Sequence, residues 1–316
     1  RIWNYMDFKS EFAFRTKPDA PDSELTKPLQ CMAFHPGGYY LALGTTSALR
    51  LIYIMEEKTY EYRDINIKNV NIIKFSRGGQ YLAVSNPIKK GTNPIYQVTI
   101  YDSYTLEFVD SFHAHTNILT DMVWGYGDNG LYTCGLDGSI KIWTKPRDQK
   151  ELEEFPSEKN TQYTSITVDK AGVMYLVAEE VGGSGRCMLQ MRTKNGPVVS
   201  FPFKEKKKAT RIRLFETPTG AEALMVGTEE GKIMVFPKSI REGDYQHLCT
   251  HIESVTYICA DINGRYLFTA GADGLLNIYQ TVSRTDRNID REGDDPTEVG
   301  KENNMYKIKC VKRELA

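Results

Sequence analysis

One phrase of sequence recurs six times along this chain, and its period decides what the chain folds into. The phrase is an alternating apolar run, a turn holding Gly or Asp, a run rich in small residues, a second polar turn, and a run closing on Ile or Val beside an aromatic. Copies stand at LQCMAFHPGGYYLALGTTSALRLIYIM (29–55), at VNIIKFSRGGQYLAVSNP through IYQVTIYD (70–102), and at ILTDMVWGYGDNGLYTCGLDGSIKIW (118–143). They continue with YTSITVDKAGVMYLVAEE through RCMLQMR (163–192), ATRIRLFETPTGAEALMVGTEEGKIMVF (209–236) and SVTYICADINGRYLFTAGADGLLNIY (254–279). The third run closes near Trp3, Tyr53, Tyr101, Trp143, Met191, Phe236 and Tyr279, at intervals of 50, 48, 42, 48, 45 and 43 residues. Inside each copy the apolar residues alternate with period two, and β-branched and aromatic side chains are enriched, which is the pattern of strands. A repeat of about 40–45 residues that carries four strands builds the blade of a β-propeller.

Each phrase supplies three strands, and the runs between phrases supply the outer one: KTYEYRDI (58–65), LEFVDSF (106–112), ELEEF (151–155) and PVVSFPF (197–203). Six blades are nearly complete on this count. RIWNY (1–5) and EFAFRT (11–16) read as the last two strands of one more, so the expectation is an all-β propeller of about seven four-stranded blades. The propeller is assigned to residues 1–280, with its partial first blade at 1–16. Small residues recur where blades must approach closely: Ala42, Ala83, Gly135, Ala178, Gly227 and Gly271. Beyond it, 281–316 reads as a charged linker or tail, since 16 of the 33 residues from Arg284 onward are charged. Within that tail MYKIKCV (305–311) is the one stretch with strand character. Because the pattern is already under way at Arg1, the chain is expected to be cut from a longer protein.

Composition narrows the chemistry. The formal net charge is −1 and the isoelectric point about 6.6, so no global basic field exists to hold nucleic acid. Six cysteines (Cys31, Cys134, Cys187, Cys249, Cys259, Cys310) include no C-x-x-C pair, which argues against a zinc site and fits a reducing cytoplasm. The most apolar stretch, ALRLIYIM (48–55), is far short of the roughly 20 residues that a membrane helix needs and is interrupted by Arg50. GGSG (182–185) and the glycines of FSRGGQ (75–80) precede no helix, and neither a P-loop nor a GxGxxG motif occurs. No cofactor, no metal and no catalytic residue is expected, and the chain is read as a non-enzyme.

Two constellations still look chemical. In the third copy His115, Thr133, Asp137 and Trp143 occupy the positions of the structural tetrad of the WD-repeat family, which this repeat resembles. The indole N–H donates to the Thr hydroxyl, the hydroxyl to one imidazole nitrogen, and the other nitrogen to the Asp in the tight turn. A Thr/His/Asp triad is the catalytic alternative, but a network internal to a blade has no room for substrate. The sixth copy holds a partial set, His251, Thr269 and Asp273, with Tyr279 in place of Trp. His35 in FHPGG (34–38) reads as a solvated turn histidine. The second constellation is basic: Lys204, Lys206, Lys207, Lys208, Arg211 and Arg213 in KEKKKATRIR. It reads either as a solvated loop or as a patch for an acidic partner surface such as tubulin.

Several phrases together resemble the cilia- and flagella-associated WD-repeat protein 57 family: RIWNY (1–5), FHPGGYYLALGTTSALRLI (34–52), HAHTNILTDMVWGYGDNGLYTCGLDGSIKIW (113–143) and TVSRTDRNIDREGDD (281–295). The resemblance implies the second of two consecutive propellers, followed by a coiled coil through which any oligomer would form. It implies a non-catalytic scaffold of the axoneme in the cilium or flagellum, part of the cytoskeleton. Its implied partners are inner dynein arms, regulatory complexes and the doublet microtubule, with neither nucleic acid nor membrane among them. The alternative is a cytoplasmic WD40 adaptor in trafficking or ubiquitin ligation.

Overall fold

A run such as Leu131-Tyr132-Thr133-Cys134-Gly135 has no polar face to offer water, so as a strand it must be covered on both sides. The computed structural model describes residues 2–3, 10–12, 29–54, 59–90, 93–144, 151–155, 160–182, 185–203, 208–240, 245–248, 251–261, 263–283 and 306–315. In it every residue of that run is buried, while Cys31–Phe34 alternates between half-buried and exposed.

The chain divides into two units, Arg1–Thr116 and Asn117–Ala316. In the first, β1 (Ile2–Trp3) and β2 (Ser10–Phe12) form a two-stranded pair. A four-stranded antiparallel meander follows, made of β3 (Cys31–Phe34), β4 (Tyr40–Gly44), β5 (Leu49–Ile54) and β6 (Thr59–Ile65). The next consists of β7 (Ile72–Phe75), β8 (Tyr81–Lys90), β9 (Asn93–Asp102) and β10 (Phe108–His115). Between these two sheets lies a core of Ala42, Leu49, Leu51, Val70, Ile73, Leu82 and Val84. Gly44 permits the approach, since a Cβ there would stand 2.7 Å from the Val70 side chain of the next sheet.

The second unit holds four more meanders. They are β11 (Leu119–Trp124), β12 (Leu131–Gly135), β13 (Ile140–Thr144) and β14 (Glu151–Phe155); then β15 (Thr161–Val168), β16 (Met174–Glu180), β17 (Cys187–Arg192) and β18 (Val199–Pro202). After them come β19 (Ala209–Glu216), β20 (Glu222–Thr228), β21 (Ile233–Pro237) and β22 (Gln246–Leu248). The last is β23 (Val255–Ala260), β24 (Tyr266–Gly271), β25 (Leu275–Ser283) and β26 (Tyr306–Leu315). Successive sheets enclose apolar cores, for example Tyr163, Ile166, Met174 and Leu176 against Cys134, Ile140 and Ile142. Each fully buried Leu, Ile or Met contributes about 1.5–3 kcal/mol, so the sheet faces carry most of the stability. The first strands β11, β15, β19 and β23 stand side by side.

The structure corrects the blade count: among the described residues there are six four-stranded blades, not about seven. The segment read as half of a further blade is the β1–β2 pair, Ile2 opposite Phe12 and Trp3 opposite Ser10, to which no other described strand is joined. Strands of two and three residues are too short to present two apolar faces to neighbours. The tail assignment also changes. Tyr306–Leu315 lies along β25 from Leu275 opposite Leu315 to Ser283 opposite Tyr306, and it is the outer strand of the sixth blade. Ile308 of this strand is buried in the core there.

Candidate functional site

In the sixth blade the chain folds His251 under the turn that joins β24 to β25. Its Nδ1 lies 3.1 Å from Oδ1 of Asp273 and its Nε2 lies 2.8 Å from the Thr269 hydroxyl. Asp273 accepts, which assigns the proton to Nδ1 and leaves Nε2 as acceptor. Asn277, fully buried on β25, brings its amide nitrogen to 3.2 Å from the same Nε2. This residue, missed in the sequence, supplies a second donor in a blade that has Tyr279 where the third has Trp143. Asp273 also accepts from the backbone N–H of Ile252 at 2.8 Å and of Leu275 at 3.0 Å. Burial pushes the Asp273 carboxyl up, but these two N–H groups and His251 outweigh it and hold it below the usual range. The bonds of His251, Thr269 and Asp273 run within the blade, so the set fastens a turn.

The third-blade residues divide between the units, His115 closing β10 in the first and the others standing in the second. His115, Thr133 and Trp143 are all buried. Thr133 donates to the Lys141 carbonyl at 3.3 Å, and Asp137 accepts from the Ser139 hydroxyl at 2.9 Å and its N–H at 3.1 Å. Trp143 meets Trp124 edge-on with ring centroids 6.2 Å apart.

His35 is buried at 4% exposure, contrary to the expectation of a solvated turn histidine. Its Nδ1 accepts from Gly37 N–H at 3.0 Å, and Nε2 donates to the Gly79 carbonyl, in the corresponding turn of the next sheet, at 2.9 Å. The rings of Tyr40, Phe75 and Tyr104 pack edge-on around it. The phrase FHPGG shows none of this, because the partner turn lies 44 residues away.

Of the basic cluster, three residues are described, and they are placed differently. Lys204, Lys206 and Lys207 lie outside the described residues. Lys208 pairs with Glu179 at 3.1 Å, which raises its pKa. Arg213 has no place on a surface patch: its guanidinium turns inward to Asp121, with Nη1 2.8 Å from Oδ2 and Nη2 3.3 Å from Oδ1. Ser165 donates to the same carboxylate at 2.6 Å, and Ile166 N–H at 3.3 Å. The first strands of three blades therefore converge on Asp121, a buried carboxylate matched by one guanidinium. Ser165 is fully buried and itself accepts from Ile212 N–H at 3.2 Å, so its hydroxyl is fixed between partners instead of being poised toward a substrate.

Beside this pair runs a row of threonines. The hydroxyl of Thr120 donates to Tyr163 O at 2.8 Å, that of Thr164 to Ala209 O at 3.5 Å, and that of Thr210 to Val255 O at 2.6 Å. Each bond crosses from one blade's first strand to the next. The signal was present as a Thr in LTDM, YTSI, ATRI and VTYI, at one position of each phrase. The thiols are structural as well: burial raises Cys31 to about 12 and Cys187 to about 11, which leaves them protonated and unreactive.

Comparison with known proteins fits this geometry. The WD domain, G-beta repeat family matches residues 106–144 and 244–280, the stretches that contain Trp143 and the His251 network. The crystal structure of RRP9 WD40 repeats superposes with a TM-score of 0.62 at 12% identity, over 81% of this chain and 77% of that one, and so supports the fold alone. Cilia- and flagella-associated protein 57 A of Tetrahymena thermophila is 23% identical over 315 residues, covering 90% of this chain and 23% of that protein. Cilia- and flagella-associated protein 57 of Mus musculus is 24% identical over 299 residues, covering 92% of this chain and 21% of that protein. The chain thus spans about a quarter of the length of these curated relatives. Along nine-tenths of its length, this WD-repeat chain is similar to the cilia- and flagella-associated protein 57 family.

Proposed function

We propose that this chain is a non-catalytic interaction platform in a scaffold of the ciliary or flagellar axoneme, helping to dock or regulate inner dynein arms on doublet microtubules. The observation that carries the reading is similarity to two cilia- and flagella-associated proteins along nine-tenths of the chain, with the blades' chemical residues turned inward. A network closed on itself holds blades together, and function then resides on outer surfaces. In the third blade, His115, Thr133, Asp137 and Trp143 are proposed to play the same fastening role as His251, Thr269 and Asp273 in the sixth. The test is the position of the tagged parent protein in ciliated cells. Signal along the axoneme, lost when the protein is depleted together with inner-arm dyneins, supports the reading. A diffuse cytoplasmic signal excluded from cilia overturns it in favour of a cytoplasmic adaptor.

The lysines of 204–208 are proposed to face an acidic partner surface, tubulin being the first to try. Reversing charge at Lys206, Lys207 and Lys208 is expected to weaken salt-sensitive co-sedimentation with microtubules. Unchanged co-sedimentation reduces the lysines to a solvated loop.

A further inference from the structure

Arg211 occupies a different position from its neighbours in the basic cluster. Its Nε–H donates to the Thr256 carbonyl on β23 at 3.0 Å, and Nη1 donates to the Thr164 carbonyl on β15 at 3.4 Å. Two backbone carbonyls, one from each flanking blade, thus fix the plane of the guanidinium. Of its five N–H donors these bonds engage two, and among the described residues the remaining three have no acceptor. No carboxylate of the described residues pairs with it. Lys208 is matched by Glu179, and Arg213 by Asp121. Arg211 is therefore a positive charge held rigidly and, among the described residues, left without a counter-charge, with the exposed Thr256 and Tyr257 beside it on β23.

We propose that Arg211 is the centre of a docking point for an acidic protein segment, its free guanidinium edge receiving a glutamate side-chain carboxylate. A planar fork that is already oriented loses little freedom on binding, and an Arg–carboxylate pair with two parallel bonds is the geometry it is shaped for. The exposed Tyr257 ring offers a flat apolar surface for the methylenes of that side chain. This site goes beyond the axonemal reading and does not depend on it.

The experiment titrates the whole chain into a fluorescein-labelled oligoglutamate peptide with an amidated C-terminus, followed by anisotropy at low salt. Arg211→Gln is expected to weaken binding about tenfold, the loss of one charge-assisted pair, and an oligoglutamine peptide is expected not to bind. A variant with Lys204, Lys206, Lys207 and Lys208 all changed to Gln is expected to lose less than Arg211→Gln. Should Arg211→Gln unfold the chain, the Arg211 Nε–H resonance of the native chain, assigned with Arg211→Lys, must shift as peptide is added. Absent oligoglutamate binding, unchanged binding by Arg211→Gln, a loss confined to the lysine variant, or an unshifted resonance at saturation each overturns the proposal.

Discussion

Arg213 places its guanidinium 2.8 Å from the carboxylate of Asp121, across 92 residues of chain and from the first strand of one blade to the first strand of the second blade before it. Ser165, from the blade between them, donates to that carboxylate at 2.6 Å. The pair is largely removed from water, so its attraction is offset by desolvation, but the loss of one partner leaves a charge stranded. Asp121→Leu and Arg213→Leu are therefore each expected to destabilise the fold by about 3–5 kcal/mol, and the double variant by clearly less than the sum of the two singles. Urea unfolding of the four proteins measures this, and strictly additive losses would show that the pair is not coupled.

The His251 network carries a pH signature. Because Asp273 sits below the usual carboxylate range in the folded chain, its ionised form favours folding. That contribution is full above its unfolded pKa of about 3.9 and disappears as pH falls through the lower folded value. Melting temperatures of the native chain and of Asp273→Asn are expected to differ most above about pH 5 and to converge below about pH 4. A gap that stays constant down to pH 2 would contradict the assignment.

His35→Ala removes a ring enclosed by three aromatics and one of the two hydrogen bonds to the Gly79 carbonyl, the Ser103 hydroxyl keeping the other. The combined cavity and lost hydrogen bond are expected to cost about 2–4 kcal/mol. A solvated turn histidine would cost under about 0.5 kcal/mol, so chemical denaturation separates the two readings.

Trp143→Ala deletes a buried indole packed edge-on against Trp124. A loss of about 3–5 kcal/mol is expected. An unchanged melting temperature would remove Trp143 from the proposed fastening set.

The blades were legible in the sequence because period-two alternation and punctuating glycines are local signals. The outer strand at 151–155 was legible for the same reason. The sixth blade's outer strand was legible only as strand character in 305–311; its partner was not, because a charged stretch separates Tyr306 from Ser283 and register cannot be read across it. His251, Thr269 and Asp273 were legible as a set because they share one repeat. Asp121 with Arg213 was hidden: each looks like a surface residue in its own strand, and only the stacking of three blades brings them together. Gly227 illustrates the middle ground. Its smallness was read correctly as a sign of close approach, and a Cβ there would stand 2.6 Å from Val255 of the next blade.

The placement of β26 also has a consequence in time. During synthesis β25 leaves the ribosome with a nine-residue edge of unpaired backbone groups, from Leu275 to Ser283, and its partner begins only at Tyr306. At about 5–20 residues per second the intervening chain takes roughly one to four seconds to make. For that interval the last blade is a three-stranded sheet open to any other strand. A nascent chain paused there is the form of this protein most exposed to mispairing with its neighbours on a polysome.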